Sequence, residues 1–259
     1  MKDFVYQTMD FMISRLKGTD YRLDRSIPFT SVLGTMLRRF TWLCRGLLKC
    51  LVLQRRFRLI YIAPQVNLRN ASLIRFGKGI TLERGVLVDG LSHEGIEFGD
   101  NVMIGPYSII RASMLGNLGA GLRMGKDSAI DAYSFIGAAG QINIGDNVIM
   151  GQHVSFHAEN HNYERSDVPI KQQGTRRLGI AIEDDCWIGS NTVFLDGCHV
   201  ERGCVIGVGS VVRGRIPAYS VAVGAPARVV GSRSPAEVGP PREALVSSEP
   251  YRLAGEFPR

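Results

Sequence analysis

No segment of the chain approaches the roughly 18 uninterrupted apolar residues of a spanning helix. The five cysteines show neither a paired framework nor metal-ligand spacing, which points to a reducing, cytoplasmic compartment. Aromatic residues are modest at 8% while glycine is abundant at 30, a balance that disfavours a helical bundle and suits a turn-rich β architecture. Asp3 and Asp10 interrupt the apolar residues of the first twenty positions, so this stretch makes a poor signal peptide. Acidic residues are missing altogether between Asp24 and Glu83, where eleven Lys or Arg stand. With 259 residues the chain can bury a core, and it suits one domain plus extensions.

What is present is a repeat. Segments such as "IGDNVI" (144–149), "IGSNTV" (188–193) and "IGVGSV" (206–211) share one six-residue pattern. Aliphatic or aromatic positions line up in triplets six apart. They are Phe76, Leu82, Val88; Phe98, Ile104, Ile110; Met124, Ile130, Ile136; Ile144, Met150, Phe156; Ile182, Ile188, Phe194; and Val200, Ile206, Val212. Between triplets the spacing is 10, 14, 8, 26 and 6 residues. Every insertion therefore falls at one vertex of a triangular coil. One rung cannot bury its own apolar row, but stacked rungs share a continuous core. The spacing predicts an all-β solenoid of about six triangular coils. Four residues after each inward position stands a small or aliphatic residue, and Cys186, Cys198 and Cys204 fill this slot as core residues rather than nucleophiles.

The longest insertion holds "HAENHNYERSDVPIKQQGTRRLG" (157–179). A loop this far beyond turn length is functional or mobile, and the rigid coil gives it a fixed base. It leaves the prism near Asn160 and returns by Ile180.

These residues resemble a known family. The hexapeptides, "HAENHNY", "DDCWIGSNTVF" (184–194) and "VIGVGSVVRGRIPAYSVAVGAPARVV" (205–230) are similar to the left-handed β-helix hexapeptide-repeat acyltransferases. The nearest branch acetylates maltose, galactosides, xenobiotics and polysaccharide sugars. The resemblance runs from about Asn67 to Gly231. It implies a left-handed parallel β-helix, a homotrimer, acetyl-CoA as acyl donor, no required metal and a sugar or glycan acceptor. It also implies His161 as the general base, seven residues after the inward Val154, with His157 as the runner-up. Imidazole, with an ordinary pKa of about 6.5, accepts a hydroxyl proton at neutral pH.

The other roles follow by position. Asp131 stands where relatives place an acceptor-binding Asn; it binds an acceptor hydroxyl, orients His161, or is a plain turn residue. Asn160 is the second acceptor contact. Trp187 and Ser190 lie where relatives seat the pantetheine arm. Gly207 and Gly209 let a ligand approach the backbone. Arg213 or Arg215 takes the phosphate role of a lysine that is Gly214 here, and Arg228 meets the nucleotide end of the donor. His93 and His199 read as turn or surface residues.

Two other functions compete. A zinc enzyme of the carbonic-anhydrase type would need three histidines, such as His153, His157 and His161, converging across a subunit interface. A non-catalytic scaffold would need neither His161 nor the donor segments.

The expected organisation is a helical, basic extension at 1–62, the coil at 63–231 with its active-site loop at 157–179, and a Pro-rich flexible tail at 232–259. On a helix through 29–60, Arg38, Arg45, Lys49 and Arg56 form one stripe. Leu33, Met36, Phe40, Leu43, Leu47 and Leu51 form the opposite one. Such a helix lies on an anionic membrane or caps the open end of the coil. The expected location is cytoplasmic, with peripheral contact at the inner face of the membrane and no nucleic-acid partner.

Overall fold

The computed structural model describes residues 6–11, 14, 22–52, 59–112 and 116–233. Arg56 and the tail beyond 233 lie outside them.

The coil has three faces, visited in turn. The first begins with Ile60–Ile62, the second with Asn67–Arg69 and the third with Ile74–Phe76. Among the described residues the second and third faces are seven-stranded, and the first is nine-stranded, its last strand Arg228–Ser232 pairing antiparallel with Ser220–Val223. All other pairings along the faces are parallel, with Leu82 over Ile62, Ile104 over Leu82 and so on up each inward row. The six expected triplets are all in register. The coil also extends beyond them, through Ile60–Ile62 and Asn67–Arg69 at one end and Arg215–Ile216 and Ser220–Val223 at the other. The insertions all leave from the corner between the second and third faces.

The inward rows form one core, including Ile104, Ile130, Phe156 and Phe194, each buried. Phe156 and Phe194 stack with ring centroids 4.6 Å apart. The slot four residues on is buried too, and its smallness has a local cause. At the corners the buried hydroxyls complete the backbone bonding: Val148 N–H donates to Ser128 Oγ at 2.9 Å and Val154 N–H to Ser134 Oγ at 3.1 Å. Each corner turns on a single left-handed residue. Asn101, Asp127, Asn147 and Asp185 do this between the third and first faces. Tyr107, Tyr133 and His153 do it between the first and second, with φ of 58°, 57° and 57°. That conformation opposes an L side chain by about 1–2 kcal/mol. Here the three rings stack at 5.5 and 5.3 Å, which offsets the opposition.

The outward rows differ by face. On the first face Met103, Ala129, Ile149, Trp187, Val205 and Val221 stand in one column. On the second Leu87, Ile109, Phe135, Ser155 and Val193 do so. The third face is charged, with the pairs Arg75–Glu97 at 3.0 Å and His199–Glu183 at 2.8 Å, and Arg215 bound to Glu201.

The helix spans Phe29–Val52 and starts on Pro28, whose carbonyl accepts the first amide bonds from Ser31 and Val32. It packs against the first strand. Gly46 makes the contact close, since a Cβ there would collide with the Ile60 carbonyl oxygen. Gly46 and Cys50 are buried on this side, and Met36, Leu43 and Leu47 are half-buried. The helix therefore does cap the coil, yet this uses only part of its apolar arc. Leu33, Leu37, Phe40, Leu48 and Leu51 remain 49–65% exposed in a second stripe. Among the described residues no helix is long and apolar enough to cross a membrane.

Candidate active site

The longest insertion is an ordered excursion. After the strand Ser155–His157 the chain forms Asn160–His161, paired antiparallel with Thr175–Arg176. Gln173 ties its interior, donating to the carbonyls of Arg165 and Val168 at 2.7 Å each. The return is pinned by Asp196, which accepts from the amides of Leu178 and Gly179, each at 2.8 Å. This holds His161 over a hollow of about 290 Å³ at the corner between the second and third faces.

The hollow is lined by Arg111, Phe135, His157, Glu159, His161 and Arg177, with smaller residues between them. The His161 side chain is exposed, and its ring has no hydrogen-bond partner among the described residues. His157 leans on Phe135 at 5.7 Å and 40°. Arg177 binds Glu159 at 2.6 Å and donates to the Leu118 carbonyl at 2.9 Å, so one wall is fixed by an ion pair. The Arg111 guanidinium lies 5.6 Å from the Phe135 ring centroid.

The structure brings His161 and His157 together and leaves Asp131 apart. Asp131 sits at the corner between the first and second faces, where its carboxylate accepts from the Ala132 amide at 2.7 Å. Within one chain its carboxylate thus serves its own corner and does not line the hollow. Asn160 neighbours His161 in the hairpin but does not line the hollow. His153 is held in the tyrosine stack, and among the described residues no three His, Cys, Asp or Glu side chains gather as a metal site.

The expected donor residues fall into separate places. Trp187 projects from the first face, 55% exposed, between Ile149 and Val205. Ser190 and Gly209 lie at the adjoining corner, joined by the Gly209 amide donating to the Ser190 carbonyl at 2.9 Å. Gly207 is close-packed, since a Cβ would come within 2.6 Å of Val223 Cγ1. Arg228 is exposed on the antiparallel end strand and donates only to its neighbour's carbonyl, at 3.1 Å. Arg213 follows the last strand of the second face, and Arg215 is engaged by Glu201 on the third. The strand amides cannot serve a ligand: those of Trp187, Gly189, Gly207 and Gly209 all donate within the coil. The corner amides of Ser190 and Val208 make no hydrogen bond among the described residues.

The coil cysteines Cys186, Cys198 and Cys204 are buried in the core. Burial pushes the Cys186 and Cys198 thiols up to about 12, and burial is also the main cause that raises Cys204.

Residues 179–214 match the bacterial transferase hexapeptide family of six repeats. This stretch of the coil therefore carries the repeat of the bacterial hexapeptide transferases. The matched residues lie within the parallel coil described above. This hexapeptide-repeat protein is 29% identical over 198 residues, 74% of its length and 87% of the relative's, to the putative lipopolysaccharide biosynthesis O-acetyl transferase WbbJ of Escherichia coli. It is 47% identical over 74 residues to a probable acetyltransferase of Mycobacterium tuberculosis, spanning a quarter of that protein (25%) and 29% of this chain. A hexapeptide-repeat acetyltransferase from Vibrio cholerae, of known structure, is 29% identical over 43% of this chain and 62% of its own, with a TM-score of 0.40.

The residues around the hollow that sequence reasoning missed are Arg111, Phe135 and Arg177. A signal existed for Arg111. Asp89, Arg111, Gly137, His157 and Leu195 each follow an inward residue of the second face, so they form one outward row that ends beside the insertions.

Proposed function

We propose that this hexapeptide-repeat transferase is an acetyl-CoA-dependent O-acetyltransferase that modifies a sugar hydroxyl of a cell-surface glycan precursor. The observation that carries the reading is His161. An ordered hairpin holds its partner-free ring over a hollow of sugar size, at the corner from which the insertions leave. A hydroxyl attacking a thioester must lose its proton as the C–O bond forms. His161 takes that proton, the C–S bond breaks with its electron pair on sulfur, and the imidazolium returns the proton to the departing thiolate. Transfer is direct, because the three coil cysteines are held as neutral thiols. The E. coli relative, named for lipopolysaccharide biosynthesis, supports a glycan acceptor.

The donor side lies on the first face and its corner with the second, at Trp187, Ser190, Gly209 and Arg228. His161 lies at the opposite edge of the second face. A complete site therefore takes His161 from one copy and Trp187 from the next. Two outward faces are apolar and the third is charged, the pattern of a prism that contacts neighbours on two sides. This supports a homotrimer with three sites, closed by cyclic symmetry. The exposed stripe Leu33, Leu37, Phe40, Leu48 and Leu51, beside Arg38, Arg45 and Lys49, suits an anionic membrane surface. Such contact would place the enzyme on the inner face of the membrane, where a lipid-linked acceptor is presented. The test is release of coenzyme A from acetyl-CoA with a panel of glycans, together with a one-acetyl mass gain in the product. Absence of both from a folded trimer overturns the reading.

A further inference from the structure

We propose that the acceptor held in the hollow carries a negative charge, a carboxylate or a phosphate on the sugar, and that Arg111 binds it. The inference rests on the acyl-transfer reading of the same site and adds the acceptor's chemical class.

The charge balance of the hollow is the first ground. Its walls hold two guanidinium groups and one carboxylate. Glu159 and Arg177 neutralise each other at 2.6 Å, and Arg177 is further committed to the Leu118 carbonyl. Arg111 has no carboxylate partner among the described residues. Asp89, one turn earlier in the same outward row, is instead occupied by the Asn70 side chain at 2.7 Å and the Leu91 amide at 3.1 Å. One uncompensated cation is thus left at the wall.

Its presentation is the second ground. The guanidinium rests on the Phe135 ring, an apolar platform that holds the planar fork and leaves N–H groups for a ligand. A forked donor fits the paired oxygens of a carboxylate or phosphate.

Spacing is the third. In the outward row Gly137 stands between Arg111 and His157. A Cβ at 137 would press within 2.8 Å of Phe135 Cε1 and 3.1 Å of the Phe156 carbonyl. The edge of the Phe135 ring therefore lies over Gly137, and the ring forms the floor between the cation and the histidines. Two rungs of a parallel sheet separate Arg111 from His157 by roughly 10 Å, room for one hexose ring. A sugar lying on the Phe135 ring can reach the histidines with a hydroxyl and Arg111 with an anionic substituent. A neutral sugar would leave Arg111 with water alone.

The experiment measures binding by ligand-observed NMR, and acetyl transfer in parallel. Three probes are used: a methyl hexuronide, a hexose 1-phosphate and a neutral methyl hexoside. The proteins are the full chain, Arg111→Gln and Arg111→Lys. The expected result is that one of the two anionic probes binds at least about tenfold tighter than the neutral one, the factor of a charge-assisted hydrogen bond. Which one binds separates carboxylate from phosphate. Arg111→Gln removes the preference and Arg111→Lys keeps part of it, which a merely structural role would not do. Equal binding of all three probes, or an anion preference that survives in Arg111→Gln, overturns the proposal. Anion binding that depends on Arg111, with no acetyl transfer to any probe, upholds the subsite and counts against the acyl-transfer reading instead.

Discussion

Replacing Leu37 and Leu48 together with Glu strikes the outer stripe of the helix without touching its contact with the coil. Leu37 is 65% exposed and Leu48 60%, while the coil side is made by Gly46 and Cys50. Full burial of a leucine side chain is worth about 1.5–3 kcal/mol, so the exposed part of each is worth about 1–2 kcal/mol when it enters a lipid interface. The pair forfeits about 2–4 kcal/mol of insertion, and two new carboxylates add repulsion from anionic lipid. Partition should fall by at least about 30-fold. Changing Arg38, Arg45 and Lys49 to Glu removes an attraction of about 1 kcal/mol each and with it the salt dependence. The assay is flotation with phosphatidylglycerol-containing vesicles and with pure phosphatidylcholine vesicles, at low and high salt. The wild type should float with the anionic vesicles at low salt and be released at high salt. Both variants should stay behind with unchanged melting temperature. Leucine variants that float like the wild type, or a folded wild type that never floats, would refute the membrane argument and leave capping as the helix's role.

Other outcomes are expected from the coil. Ser134→Ala leaves the buried Val154 amide without its acceptor, so stability should fall by about 1–3 kcal/mol, read by denaturant unfolding. At pH 8 brief treatment with iodoacetamide should label exposed Cys44 and spare Cys186, Cys198 and Cys204, as mapped by mass spectrometry. The raised thiols also set a pH limit. In the unfolded chain these groups ionise near 9.0, but Cys186 and Cys198 stay neutral in the fold until about 12. Their contribution is therefore complete below pH 9 and is lost as pH rises towards 12, so Tm should drop across that window, and less so in Cys198→Ala.

Much of the coil was legible because its period is enforced by sterics. The inward rows and the single insertion corner follow from six-residue spacing, and Phe76 to Val212 all fall where that spacing puts them. The end strands were harder. Ile62 and Leu68 keep the six-residue step but form a row of only two positions at the edge of the repeat, and Ile216 comes only four residues after Val212 instead of six or more. The helix was legible as amphipathic, but not the division of its apolar arc. That depends on Gly46 seating against Ile60, a contact between segments with no shared period. At the site, His161 could be reached by its position in the chain. Arg177 and Glu159 are 18 residues apart and meet only because the hairpin folds back, and nothing local marks that pairing.

The most direct test of the acyl-transfer account is the turnover of His161→Ala with acetyl-CoA and a glycan acceptor, measured beside His157→Ala and the wild type. His161 is exposed and makes no side-chain hydrogen bond among the described residues, so its removal should leave fold and oligomer intact. The account predicts a loss on the order of 100-fold or more in kcat, the usual weight of a general base, with His157→Ala retaining substantial activity. Near-wild-type turnover by a folded His161→Ala protein would contradict it.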